Sequence, residues 1–203
     1  SLLLLKAVQS ATTTLIKHLD YGNATERVTQ LALDPEADAA VRASSLTAMA
    51  ALKAPGLIKA INLGLASDSP LLRMASREAI PNPTSMIEQI QWASRAGTLI
   101  EKQHAIALAG QMDDKQSASL MNIWLSALMK GSAPSDLALD IQIAATQHEA
   151  TSEKAKTFTA TLPADQGGFL ALALHGGNPE KGEEIFHTSI TGQCVRCHRV
   201  KTR

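Results

Sequence analysis

The sequence predicts an all-α protein, and three observations carry that expectation. Alanine and leucine, both strong helix formers, recur throughout. Aromatic residues are only 3% of the chain, where strands favour aromatic and β-branched side chains. Apolar residues also recur at helical spacing, as in Leu5, Val8, Ala11, Leu15, Ile16 and Leu19. That series predicts a first helix over residues 1–19, broken by Tyr21-Gly22-Asn23, with Gly22 suited to the position after a helix end. A second helix, about 24–33, should end before Asp34-Pro35, because the residue before a proline is pushed out of the helical region.

A repeat follows. Val41-Arg42 opens a segment with Ala48-Met49 in its second half, Leu72-Arg73 another with Ala79-Ile80, and Ile100-Glu101 a third with Ala107-Leu108. The copies stand 31 and 28 residues apart. Each is followed by a second apolar helix, roughly Gly56–Ala66, Thr84–Ala96 and Asp114–Met129. The punctuation between them is Ala54-Pro55-Gly56, Asp68-Ser69-Pro70, Pro81-Asn82-Pro83 and Gly131-Ser132-Ala133-Pro134, all loop signals. Two more helices, about 135–149 and 152–161, have Ser135 and Ser152 as candidate N-caps.

Helix pairs at a period near 30 residues suggest an α-solenoid, in which each pair buries its apolar stripe against the next. Small residues at Ala43, Ala48, Ala75, Ala79, Ala105 and Ala107 would let neighbouring helices approach closely. The pattern of an apolar residue and Arg, then small residues, then Ala and an apolar residue resembles HEAT-type repeats. It is degenerate, because Arg is absent from the third copy, and an irregular helical bundle is the competing architecture. The expected organisation is a HEAT-like helical domain over 1–165, a linker over 166–177 marked by Gly167-Gly168 and Gly176-Gly177, and a separate segment over 178–203. One short helix is expected within the junction, over the apolar run Phe169 to Leu174.

Composition narrows the function. The chain has 203 residues, 45% of them hydrophobic, enough for a sizeable core. Lys+Arg and Asp+Glu both number 19, so the formal net charge is zero and the basic footprint of a nucleic-acid binder is missing. No apolar run approaches the roughly 18–20 residues of a membrane span. The opening Ser1-Leu2-Leu3-Leu4-Leu5-Lys6 does not have the form of a signal peptide.

The chemistry concentrates near the C-terminus. Asn178-Pro179-Glu180 reads as a helix start: a capping Asn, a Pro at the first position and a carboxylate at the positive end of the dipole. The helix continues through Lys181-Gly182-Glu183-Glu184-Ile185-Phe186, and a loop from His187 to Gln193 leads to Cys194-Val195-Arg196-Cys197-His198. Cys-x-x-Cys-His is the pattern of covalent c-type haem attachment. Thiols three residues apart sit on one turn and can form thioethers to the two vinyl groups of one haem edge. The adjacent imidazole can then ligate the iron. Cys194 and Cys197 are the only cysteines of the chain. A zinc half-site would have at most three ligands here, Cys194, Cys197 and His198, where structural zinc usually takes four. A dithiol redox pair would need a βαβ setting. Free or disulfide-paired thiols are the remaining reading.

Gly182, Phe186, Cys194, Cys197, His198 and Val200 together resemble the start of a class I cytochrome c domain. With the preceding repeats, the arrangement looks like the C-terminal part of large exported haem-binding proteins of planctomycete and verrucomicrobial type. These dehydrogenase-like proteins usually join a β-propeller, HEAT-like repeats and a cytochrome c domain. The resemblance is specific only over about 178–200. It implies haem c held by Cys194 and Cys197, with His198 as axial iron ligand. It also implies an exported or periplasmic location, and an electron donor or acceptor protein or a fused dehydrogenase domain as partner. The family's second axial ligand is typically a Met after the motif, whereas Met49, Met74, Met86, Met112, Met121 and Met129 all precede it and read as core. The chain is therefore expected to stop within the cytochrome domain, without a complete haem pocket, leaving Ile185 and Phe186 to find other cover.

No further catalytic constellation is present, and the chain is not expected to be an enzyme by itself. His175 and His187 read as solvated loop residues, His18, His104 and His148 as surface or satisfied histidines, and Trp92 and Trp124 as packing residues. Asp113-Asp114, Glu183-Glu184 and Glu101-Lys102 read as helix-start or solvated charges. The expected function is a helical scaffold joined to a c-type haem electron-transfer module that is complete only in a longer parent protein, with haem expected to be absent or incomplete on this chain. The alternative is a purely structural or protein-binding solenoid without haem.

Overall fold

In the computed structural model of the protein, the described residues are 24–163, 168, 171–172, 179–189 and 192–197. Among them every regular element is helical. The predicted helix over 1–19, most of the 162–178 junction, and His18, His175 and His198 lie outside the described residues, and of the short helix expected in that junction only Ala171 and Leu172 are described, in 3-10 conformation.

The chain forms two compact units, Ser1–Leu120 and Met121–Arg203. The first holds α1 (Ala24–Leu33), α2 (Ala39–Leu52), α3 (Leu57–Leu65), α4 (Pro70–Glu78), α5 (Pro83–Ala96), α6 (Leu99–Gln111) and the first residues of α7 (Lys115–Met129). Their starts follow from local chemistry. Asp38 Oδ1 accepts the Ala40 N–H at 2.8 Å to open α2, and Asn82 Oδ1 accepts the Ser85 N–H at 3.2 Å to open α5. Pro70 and Pro83, expected in loops, are instead the first residues of α4 and α5, where the missing N–H is no loss. Helix α2 stops at Lys53, whose left-handed φ of 52° turns its amide back onto the carbonyls of the last turn.

The first helices of the three predicted pairs pack in succession, α2 on α4 and α4 on α6, while α3 packs on α4 and α5 on α6. Leu46, Met49, Ala60, Ile61, Ala79 and Ile80 form one buried cluster, closed by α1 through Ala32. Of the small residues expected at close approaches, Ala43, Ala48, Ala79 and Ala105 are buried, whereas Ala107 is exposed. The tightest approach falls at a residue the pattern did not single out. A Cβ on Gly64 of α3 would stand 1.9 Å from Ser76 Oγ of α4.

The third copy's departure from the repeat pattern has a structural explanation. Glu101, in the place taken by Arg42 and Arg73 in the earlier copies, is fully buried rather than solvated. Its carboxylate accepts from Arg73 Nε at 2.8 Å, from Arg73 Nη2 at 2.6 Å and from Arg77 Nη2 at 2.6 Å. The Thr98 amide and hydroxyl also donate to Oε2, tying the start of α6 to the same group. Hydrogen bonds from Arg73, opposed by burial and reinforced by Arg77 and Thr98, hold this carboxyl well below the usual carboxylate range. Arg77 is itself fully buried, with its guanidinium 5.6 Å from the Trp92 ring. Trp92 is correspondingly a half-exposed cover for a cation, not a core residue.

The second unit contains the remainder of α7, a 3-10 turn (Ser135–Leu137), α8 (Ala138–Gln147), α9 (Ser152–Thr161), α10 (Pro179–Thr188) and a second 3-10 turn (Cys194–Arg196). Helices α8 and α9 pack together. Gln142, 2% exposed, joins them by donating Nε2 to the Ala155 carbonyl at 2.9 Å. The expected serine caps are displaced. Ser135 begins the 3-10 turn, and Ser152 is already helical, with Thr151 in the cap position. Thr151 Oγ1 points inward and donates to the Ala145 carbonyl at 2.8 Å, so it fastens the α8–α9 connection instead of capping α9. Met49, Met74 and Met121 are core as expected, but Met129 is 43% exposed.

Candidate haem-attachment site

The segment rests on α10, whose Pro179 stands at the first helical position. Gly182, Glu183, Glu184 and Ile185 are exposed and Phe186 is half-buried. The Phe186 ring meets His187 edge to face, with centroids 5.2 Å apart. Ile185 finds no cover among the described residues and is 58% exposed. Of the two apolar residues expected to need other cover, Phe186 is half-buried and Ile185 stays exposed.

Beyond α10 the backbone folds back on itself. The Ser189 amide donates to the Ile185 carbonyl at 2.9 Å, and the Gln193 amide to the Ser189 carbonyl at 3.0 Å. The Gly192 amide donates to Ser189 Oγ at 2.9 Å. Gln193 adopts a left-handed φ of 42° and presents Oε1 to Arg196 Nη1 at 2.5 Å. This turn delivers the chain into Cys194–Arg196, which packs against α10. The Cys197 amide donates to the Cys194 carbonyl at 3.3 Å, placing both cysteines on one turn.

Both thiols are free, and their surroundings differ. Cys194 is half-buried and Cys197 is exposed. A Cβ at Gly192 would lie 3.2 Å from Cys194 Sγ and 3.1 Å from Ser189 Oγ, so glycine leaves open the space beside that sulfur. Ser189, Gly192 and Gln193 did not stand out in the sequence as part of the site. The only local signal was a glycine two residues before the first cysteine.

The donor set suits covalent haem attachment on three counts: two unpaired thiols, one turn between them, and uncovered apolar side chains at Ile185 and at Val195, which is 47% exposed. His198 belongs to the motif but lies outside the described residues. His187 is exposed, and no group of three or more metal-ligating side chains occurs among the described residues. His104 Nε2 is 2.8 Å from Glu78 Oε1, and His148 Nδ1 accepts the Ala150 amide at 3.2 Å, so both are engaged within the fold. No described helix is long and apolar enough to cross a membrane. Comparison with protein-family models, curated proteins and solved structures finds no match.

Proposed function

We propose that this chain is a HEAT-like helical scaffold carrying a c-type haem electron-transfer segment. The observation that carries the reading is the sequence Cys194-Val195-Arg196-Cys197-His198, whose two cysteines lie on one turn that packs against a proline-initiated helix. Cys194 and Cys197 hold the haem edge through thioethers, and His198 supplies an axial imidazole. When bound, the haem supplies a one-electron carrier, and the surrounding protein sets its potential through ligation, burial and orientation. The partner is an electron donor or acceptor protein, or a dehydrogenase domain of the same polypeptide. Attachment of this kind places the protein in an exported compartment. In this reading the chain transfers electrons and catalyses no reaction by itself. The scaffold half of the proposal draws support from the succession of α2, α4 and α6.

The test is expression with export and c-type maturation, followed by intact mass and visible absorption. A haem-sized mass increment that survives denaturation, with a reduced c-type spectrum, supports the reading. A bare polypeptide mass refutes the haem role. A haem-free protein-binding scaffold is the second reading, favoured by the half-exposed Trp92, Leu99 and Ile100 of the first unit.

A further inference from the structure

We infer that the two thiols of the motif are chemically ordered: Cys197 reacts first and Cys194 second, with Gly192 controlling access to the second. The order of haem attachment rests on the proposed function, but the inequality of the thiols does not. Three observations support it. Cys197 is exposed while Cys194 is half-buried. Gly192, which stands beside the Cys194 sulfur, is held by the bond from its amide to Ser189 Oγ at 2.9 Å. And the position of a Gly192 Cβ, 3.2 Å from Cys194 Sγ, marks the gap beside that sulfur as one that a single methyl group fills.

Thiol reactivity requires the sulfur to be reached as well as ionised, so accessibility sets the order where the two thiols share one turn. The chemistry needs no oxidant. A thiol adds across a haem vinyl group, its sulfur bonding to the inner carbon and its hydrogen ending on the terminal carbon, so one S–H and one C=C π bond are replaced by C–S and C–H. If the exposed thiol adds first, the porphyrin edge is tethered beside the turn. The second addition then becomes intramolecular and gains from proximity. Cys194 is consequently the step that the local fold can promote or block, which makes Gly192 a positioning residue for attachment.

The test begins with the haem-free protein, exposed to limiting iodoacetamide under native conditions and mapped by peptide mass at successive times. Cys197 should be carbamidomethylated at least several-fold faster than Cys194, and the difference should vanish in denaturant. Gly192→Ala should slow Cys194 several-fold further and leave Cys197 unchanged. Ser189→Ala, which removes the side-chain bond holding Gly192, should speed Cys194 toward the Cys197 rate. Equal rates in the native protein, or faster reaction at Cys194, would overturn the inference. After export and c-type maturation, Gly192→Ala should accumulate haem joined through Cys197 alone, whereas the unaltered chain carries both thioethers. Double attachment in Gly192→Ala at the unaltered level would overturn Gly192's role. If neither thiol of the unaltered chain takes haem while the alkylation order holds, the proposed function fails and the ordering of the thiols stands.

Discussion

Arg73 and Glu101, which occupy matching positions in successive helical pairs, face each other through two hydrogen bonds of 2.8 and 2.6 Å, one to each carboxylate oxygen. Arg77, one turn further along α4, adds a third at 2.6 Å. A single buried carboxylate thus fastens α4 to α6. The fork geometry of arginine suits this arrangement, because two N–H groups meet two carboxylate oxygens at once.

Glu101→Ala should be among the most damaging single substitutions in the first unit. Removing one member of a buried ion pair leaves the other charge uncompensated, at a cost of about 3–5 kcal/mol. Arg73→Ala should cost less, because its side chain is 15% exposed and Arg77 continues to satisfy Glu101. Urea unfolding of the two variants, with the slope compared as well as the midpoint, measures the difference.

The same carboxylate makes stability depend on pH in a stated direction. Its folded pKa lies below the ordinary 4.5, so the unfolded chain binds the proton more readily. The contribution is fully present above about pH 4.5 and is lost progressively as pH falls toward the folded value. Glu101→Gln should therefore lower stability at neutral pH and flatten its decline on the acid side. Thermal unfolding at a series of pH values between neutrality and pH 3 reads both effects. An unchanged acid slope would show that other carboxylates dominate.

Gly64→Ala should destabilise although alanine is the better helix former. The added carbon would stand 1.9 Å from Ser76 Oγ and 3.2 Å from Ser76 Cβ, and Ser76 is fully buried with its hydroxyl bonded to the Leu72 carbonyl. Overpacking of this kind costs about 1–3 kcal/mol. Combining it with Ser76→Gly, which removes both clashing atoms, should recover more than the sum of the single effects predicts. A double-mutant cycle by denaturant unfolding checks the coupling.

The legible part of this molecule is local. Helix α1 ends at Leu33, before Asp34-Pro35, as the sequence indicates, because a proline restricts its immediate predecessor wherever it occurs. The two Cys-x-x-Cys thiols fall on one turn for a similarly short-range reason. What escaped notice depends on contacts between distant segments. Glu101 at a helix start resembles a solvated charge until α4 brings two arginines to it. Ser152 and Thr151 are equivalent as caps on paper, and only the inward bond of Thr151 to Ala145 distinguishes them. Likewise, Gly192 gains its meaning from the position of Cys194 Sγ, which depends on the bend between them.

Each cysteine should contribute separately to haem retention. With Cys194→Ala or Cys197→Ala, one thioether is lost. Haem should then remain covalently bound through the other, with a shifted α-band in the reduced spectrum and a lower yield in Cys197→Ala, where the half-buried Cys194 must add without a prior tether. The double substitution should yield protein with no covalent haem. Acid–acetone extraction followed by absorption of the pellet distinguishes covalent from dissociable haem.

The most direct measurement is the intact mass of the unaltered chain after export and c-type maturation, taken under denaturing conditions with a reduced visible spectrum. The account predicts a single haem-sized increment, mapped to the peptide containing Cys194 and Cys197, with a c-type absorption band. A bare polypeptide mass, from cells that mature a control cytochrome normally, would contradict it.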